Sequence, residues 1–140
     1  MRAAAFLLLL ATACGTPFDG AGLTTTVHMD ALLADQVSTL DIFVLSPERS
    51  DGVILTRDDL LSGAVLPTDQ RVEIYGQKAL NFLATPKRDT QLDGIPEGTG
   101  RIVFIAAYDS GGVLLARGCT DDITVEKDKT TAVEVRVLAL

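Results

Sequence analysis

Residues 101–108 read RIVFIAAY, apolar on both faces of an extended chain. A run with no polar stripe has to be covered from two sides, so it predicts a central strand rather than a half-exposed one. Asp109-Ser110-Gly111-Gly112 follows, and glycine there supplies the positive φ of a hairpin turn leading into Val113–Arg117. The same period of two recurs along the chain. Leu23, Thr25, Val27 and Met29 alternate with Thr24, Thr26 and His28, and Leu40, Ile42 and Val44 with Asp41 and Phe43. Val53–Leu55 is a short apolar run, Val72 and Ile74 form one alternating set, and Leu80, Phe82 and Ala84 another. Ile123 and Val125 precede the polar turn Lys127-Asp128-Lys129, after which Val133, Val135 and Val137 face in while Glu134 and Arg136 face out. These sets predict an all-β antiparallel sandwich of seven to nine strands.

One segment departs from that pattern. Thr56-Arg57-Asp58-Asp59-Leu60-Leu61-Ser62-Gly63 carries a T-x-x-D capping box and a C-terminal glycine. It predicts one short helical turn near residues 57–62, packed across a sandwich end through Leu60 and Leu61. Asp58 and Asp59 in its first turn complement the helix dipole.

The composition looks more hydrophobic than an acidic domain should, with 47% hydrophobic residues and a net charge of −7 and a mean hydropathy of +0.29. The excess sits in residues 3–13, AAAFLLLLATA, behind Met1-Arg2. That stretch is too short for a hydrocarbon core that takes about 20 residues to cross, so residues 1–13 read as a signal peptide. Ala11-Thr12-Ala13 forms a small-x-small cleavage site directly before Cys14, which resembles the bacterial lipoprotein lipobox. The resemblance implies that Cys14 becomes the first mature residue, is the lipid attachment site and is the membrane anchor. Gly15 at the next position favours the outer membrane, on its periplasmic or surface face. Residues 14–22, with their glycines and one proline, then form a flexible tether, and 23–140 the folded domain.

The sequence carries little recognisable chemistry. His28 is the sole histidine and sits on the outward face of a predicted strand, with no serine in a nucleophile-elbow context. One histidine with one unmodified cysteine does not make a zinc site, and no phosphate-binding glycine loop or C-x-x-C occurs. No catalytic residue, metal or cofactor is expected, and no small-molecule substrate. The acidic balance, with 12 Lys+Arg against 19 Asp+Glu, disfavours nucleic acid, because nothing neutralises phosphates. Asp121-Asp122 reads as a strand-connecting loop which, with Asp109, is the best candidate for Ca²⁺ or for acid–base carboxylates. Cys119 reads as a small buried hydrophobe, a disulfide to another chain or to Cys14 being the alternatives. Tyr75 and Phe43 are the aromatics to consider at a contact surface, though a core role suits both better.

Leu92-Asp93-Gly94-Ile95-Pro96-Glu97-Gly98, then a strand, then Asp109-Ser110-Gly111-Gly112, resembles the turn signals of prealbumin-like (transthyretin-like, carboxypeptidase-regulatory-like) β-sandwich modules of secreted bacterial proteins. The ending, Ala116-Arg117-Gly118-Cys119 before a valine-rich strand, is similar to small myxobacterial-type lipoproteins. The resemblance covers residues 92–138 and implies an Ig-like or prealbumin-like sandwich in the envelope, without transferring a catalytic residue. Lipoproteins of that group carry a second cysteine near the helical segment, where this chain has Arg57. The function so implied is a lipid-anchored, non-catalytic module that binds an envelope protein or glycan. A Ca²⁺-dependent adhesin-like module and a small hydrolase using Asp109, Asp121 or Asp122 are the alternatives.

Overall fold

The computed structural model describes residues 21–82 and 87–140. Seven strands and two short helices follow one another as β1 (Ala21–His28), α1 (Ala31–Gln36), β2 (Thr39–Leu45), α2 (Arg57–Ser62), β3 (Ile74–Asn81), β4 (Lys87–Ile95), β5 (Gly98–Tyr108), β6 (Leu114–Val125) and β7 (Thr130–Ala139). They form a single sheet in the order β3-β2-β5-β6-β7-β1-β4. Five of its six ladders are antiparallel, and β1 runs parallel to β7.

The sheet curls until its two edges face each other. Lys78 Nζ, on β3, donates to the carbonyl of Gln91 on β4 at 3.1 Å. A Cβ on Gly76 would come within 2.5 Å of Ile95 Cδ1, so glycine there lets the edges approach. A lysine laid across an unpaired strand edge also blocks pairing with other chains. Inside the curl, Leu23 and Val27, Leu40, Ile42 and Val44, Val103 and Ile105, and Val133, Val135 and Val137 form one buried cluster. Each such side chain stabilises the fold by roughly 1.5–3 kcal/mol on leaving water. The alternation of β7 is therefore the inside–outside pattern its valines predicted.

A second core lies on the outer face of β2, β5 and β6. There Phe43, Ile102, Phe104 and Cys119 are covered by Leu55, Leu60, Val65 and Val72 from the long connection between β2 and β3. Phe43 and Phe104 sit opposite each other across the β2–β5 ladder, with ring centres 6.4 Å apart and planes tilted by 43°. Coverage on both faces is why residues 102–107 of β5 carry no polar side chain.

Several sequence expectations are corrected. The β1 strand starts at Ala21, two residues before the expected boundary. Val53–Leu55 makes no strand; only an isolated bridge joins Glu48 to Ile54. Val72 precedes β3 in a loop, whereas Leu92–Ile95, read as a turn, belongs to β4. Asp121-Asp122 is not a connecting loop. The pairing of Arg101 with Ile123 and of Val103 with Thr120 leaves it as a bulge opposite Ile102, with Asp122 at φ 56°. A bulge absorbs an extra residue without ending the strand, so β6 runs through it.

The helix at 57–62 forms as its caps predict. Thr56 Oγ1 accepts from the Asp59 amide at 3.1 Å, and Gly63 closes the helix at φ 80°. Its place differs, because Leu60 is buried on the sheet's outer face and not across an end. The α1 helix went unread: its one turn is too short for a 3.6-residue period, and its signal is Asp30, whose Oδ1 accepts from the Leu33 amide at 2.9 Å.

Candidate functional site

The connection over residues 46–73 is long for a compact domain, and such excursions commonly carry function. Its first part prolongs β2 as a tight hairpin. The Leu55 amide donates to the Pro47 carbonyl at 2.8 Å, and the Arg49 amide to Val53 at 2.9 Å. Its return leg pairs beside this, Ser50 donating to Arg71 at 2.8 Å and Ser46 to Glu73 at 3.0 Å.

Four charges brace the arrangement. Arg49 Nε and Nη2 form a two-pronged contact with Asp51 at 3.1 and 2.5 Å. Arg71 pairs with Asp69 at 2.9 Å and reaches Asp51 at 3.7 Å. Hydrogen bonding from Arg71 holds the Asp69 carboxyl well below the usual carboxylate range, and the Arg49 bond lowers that of Asp51. The same bonds raise both guanidinium pKa values. Because each charge has its partner, the quartet is a brace and not a set of unsatisfied ligands. Behind it a shallow hollow of about 640 Å³ is lined by Gly63, Leu66, Thr68, Asp69 and Arg71.

Further along, α2 is tied to β6 from both ends. Arg57 Nε donates to the Cys119 carbonyl at 3.1 Å, and Arg117 Nη1 to the Leu61 carbonyl at 3.2 Å. A cation beside the last carbonyls of a helix offsets its dipole.

The residues singled out from sequence are dispersed. His28, half-buried on β1, faces Glu134 at 3.1 Å across the β1–β7 ladder. Asp109 Oδ1 accepts from the amides of Gly111 and Val113, both at 2.9 Å, and so shapes the hairpin turn. It lies at the opposite end of the β5–β6 ladder from Asp121-Asp122. The three carboxylates thus share neither a Ca²⁺ site nor a cleft, and no group of metal-ligating side chains assembles among the described residues. Cys119 is a free thiol, 4% exposed within the outer core, and burial pushes its pKa up to about 12. Phe43 is buried, and Tyr75 is half-covered beneath the Arg101 guanidinium. Cys14 and the leader lie outside the described residues. Among the described residues no helix is long and apolar enough to cross a membrane.

Sequence reading missed the charge quartet. Its local signal was two motifs of the same spacing, Arg49-x-Asp51 and Asp69-x-Arg71, in mirrored order.

No family model matches the chain, and no curated protein does. Solved structures with weak similarity include these two. The T6SS lipoprotein TssJ1 from Pseudomonas aeruginosa shares 13% identity at a TM-score of 0.40, over 86% of this chain and 97% of that one. A Cys426Ala mutant of the pilus-presented adhesin Spy0125 (Cpa) shares 14% identity at a TM-score of 0.36, over 84% of this chain. This chain spans 27% of that adhesin chain. At these levels neither assigns the chain to a family. The all-β architecture stands on its own strands.

Proposed function

We propose that this protein is a lipid-anchored, non-catalytic β-module of the bacterial envelope, acylated at Cys14, that binds another envelope component, a protein or a glycan. The observation that carries the non-catalytic reading is that the candidate reactive groups are dispersed and most are held in structural contacts, while Asp121 and Asp122 lie on a bulge at the far end of the ladder from Asp109. His28 faces Glu134 on the strand surface, Asp109 holds a turn, Asp58 and Asp59 start a helix, and Cys119 is sealed in a core. The lipobox at Ala11–Cys14 supports the anchor, and Gly15 supports the outer membrane.

Exposed apolar side chains favour binding. At the pole opposite the start of β1, Leu32 on α1 is 78% exposed, with Val113 and Leu138 also open. On a molecule tethered by its N-terminus this is the pole farther from the tether, at the other end of β1.

Affinity capture of the full-length protein from detergent-solubilised envelopes, after crosslinking, tests the reading. The expected result is one discrete envelope protein or glycan, retained by the wild type and lost with Leu32→Asp. Capture that yields no component above a mock control overturns it.

A further inference from the structure

The hairpin at residues 46–55 is braced by hydrogen bonds and ion pairs, yet its return leg exposes two aliphatic side chains. Val53 is 49% and Ile54 60% accessible, while the next residue, Leu55, is 3%. Hairpin and brace fix their direction: the Arg49 amide bonds the Val53 carbonyl, the Val53 amide bonds Asp51 Oδ1 at 3.2 Å, and Arg71 links Asp51 to Asp69. An exposed aliphatic pair on a floppy loop would need no account. On a pinned turn it is a presented surface.

Where the turn sits gives it an occupant. Strand β2 runs toward the pole at which β1 begins, since Leu45 pairs with Ile102 and Ala21 with Ile95. Pro47 packs beside Gly100 near the start of β5, so the hairpin continues past the end of β2 at that same pole. Only residues 15–20 separate Cys14 from Ala21. Seven Cα steps span at most about 25 Å, so an acylated Cys14 would hold Ala21 within that distance of the bilayer and bring this pole near it.

We propose that the Val53-Ile54 turn is a membrane contact, seated at the boundary between headgroups and acyl chains of the bilayer that holds Cys14. This rests on the acylation proposed above. The tether supplies a high effective concentration, so two side chains suffice for a contact that free protein would not make. Attraction to anionic lipid is not its basis: Arg49 and Arg71 are paired, Glu48 and Glu73 share the hairpin's base, and the chain is acidic overall. The contact is therefore expected to survive high salt.

The test uses full-length protein in vesicles of phosphatidylethanolamine and phosphatidylglycerol, with a polarity-sensitive fluorophore on Ile54→Cys or, at the far pole, on Val113→Cys. Acylated Cys14 has no free thiol and Cys119 is buried, so the label is confined to the chosen site. With a nitroxide lipid in the bilayer, the Ile54→Cys probe is expected to lose roughly half its emission or more, and the Val113→Cys probe little. An unquenched Ile54→Cys probe on protein whose intact mass shows the acyl chains overturns the contact and leaves the anchor standing. A mass without acyl chains overturns both. A blue shift that follows protein concentration without lipid, and without quenching, identifies a second copy as the occupant and also overturns the proposal.

Discussion

The guanidinium of Arg101 lies 4.2 Å from the centre of the Tyr75 ring and donates to the carbonyls of Pro96 and Glu97. One side chain, itself only 9% exposed, thereby ties β3 to the turn that opens β5. It also explains Gly98, at φ 149°, where a Cβ would sit 2.5 Å from Arg101 Nη2. The Ile95-Pro96-Glu97-Gly98 phrase is thus a turn built around an arginine.

Arg101→Met should keep the aliphatic stem and lose the contact with Tyr75 and the three hydrogen bonds to Pro96 and Glu97. The expected cost is about 2–4 kcal/mol, since charge-assisted bonds and a covered cation–π contact are being removed together. Urea unfolding checks it. A change below about 0.5 kcal/mol would mean that the turn is held by something else.

Thr25 offers the opposite sign. It is fully buried between Leu23 and Val27, and its Oγ1 has no hydrogen-bond partner. Valine has the same shape without the hydroxyl, so Thr25→Val should stabilise the fold by about 1 kcal/mol. Thermal unfolding should show a Tm raised by several degrees, and a lowered Tm would reveal a bond to the hydroxyl.

Cys119 makes stability fall in alkali. Its thiol titrates near 9.0 when free and near 12 when buried, so the fold favours the neutral form. The contribution is complete below about pH 9 and is lost as pH rises through the folded-state value near 12. Cys119→Ala should flatten this alkaline loss relative to wild type in urea midpoints measured from pH 8 upward. In the native protein at pH 8 the thiol should react with a disulfide reagent only as fast as the domain opens.

What was legible from sequence follows from how local each cause is. Residues 101–108 and 133–137 announce their environments because burial acts on each strand face directly. Thr56 and Gly63 announce α2 because caps act within one turn. Strand β4 was unread because Lys87–Gln91 is a polar edge strand, with Leu92 and Ile95 alone buried. Strand β6 was split in two because nothing local shows that Asp121-Asp122 can bulge within a ladder. Arg101 on Tyr75, and Arg71 on Asp51, join residues distant in sequence, so no local pattern announces them.

The anchor decides the biological reading, and one mass measurement decides the anchor. Intact-mass analysis of the full-length gene product extracted from membranes should show a chain beginning at Cys14 that carries acyl groups, and Cys14→Ser should abolish both the added mass and membrane retention. A membrane-fraction or secreted species with a free Cys14 thiol, or one retaining residues 1–13, would contradict it.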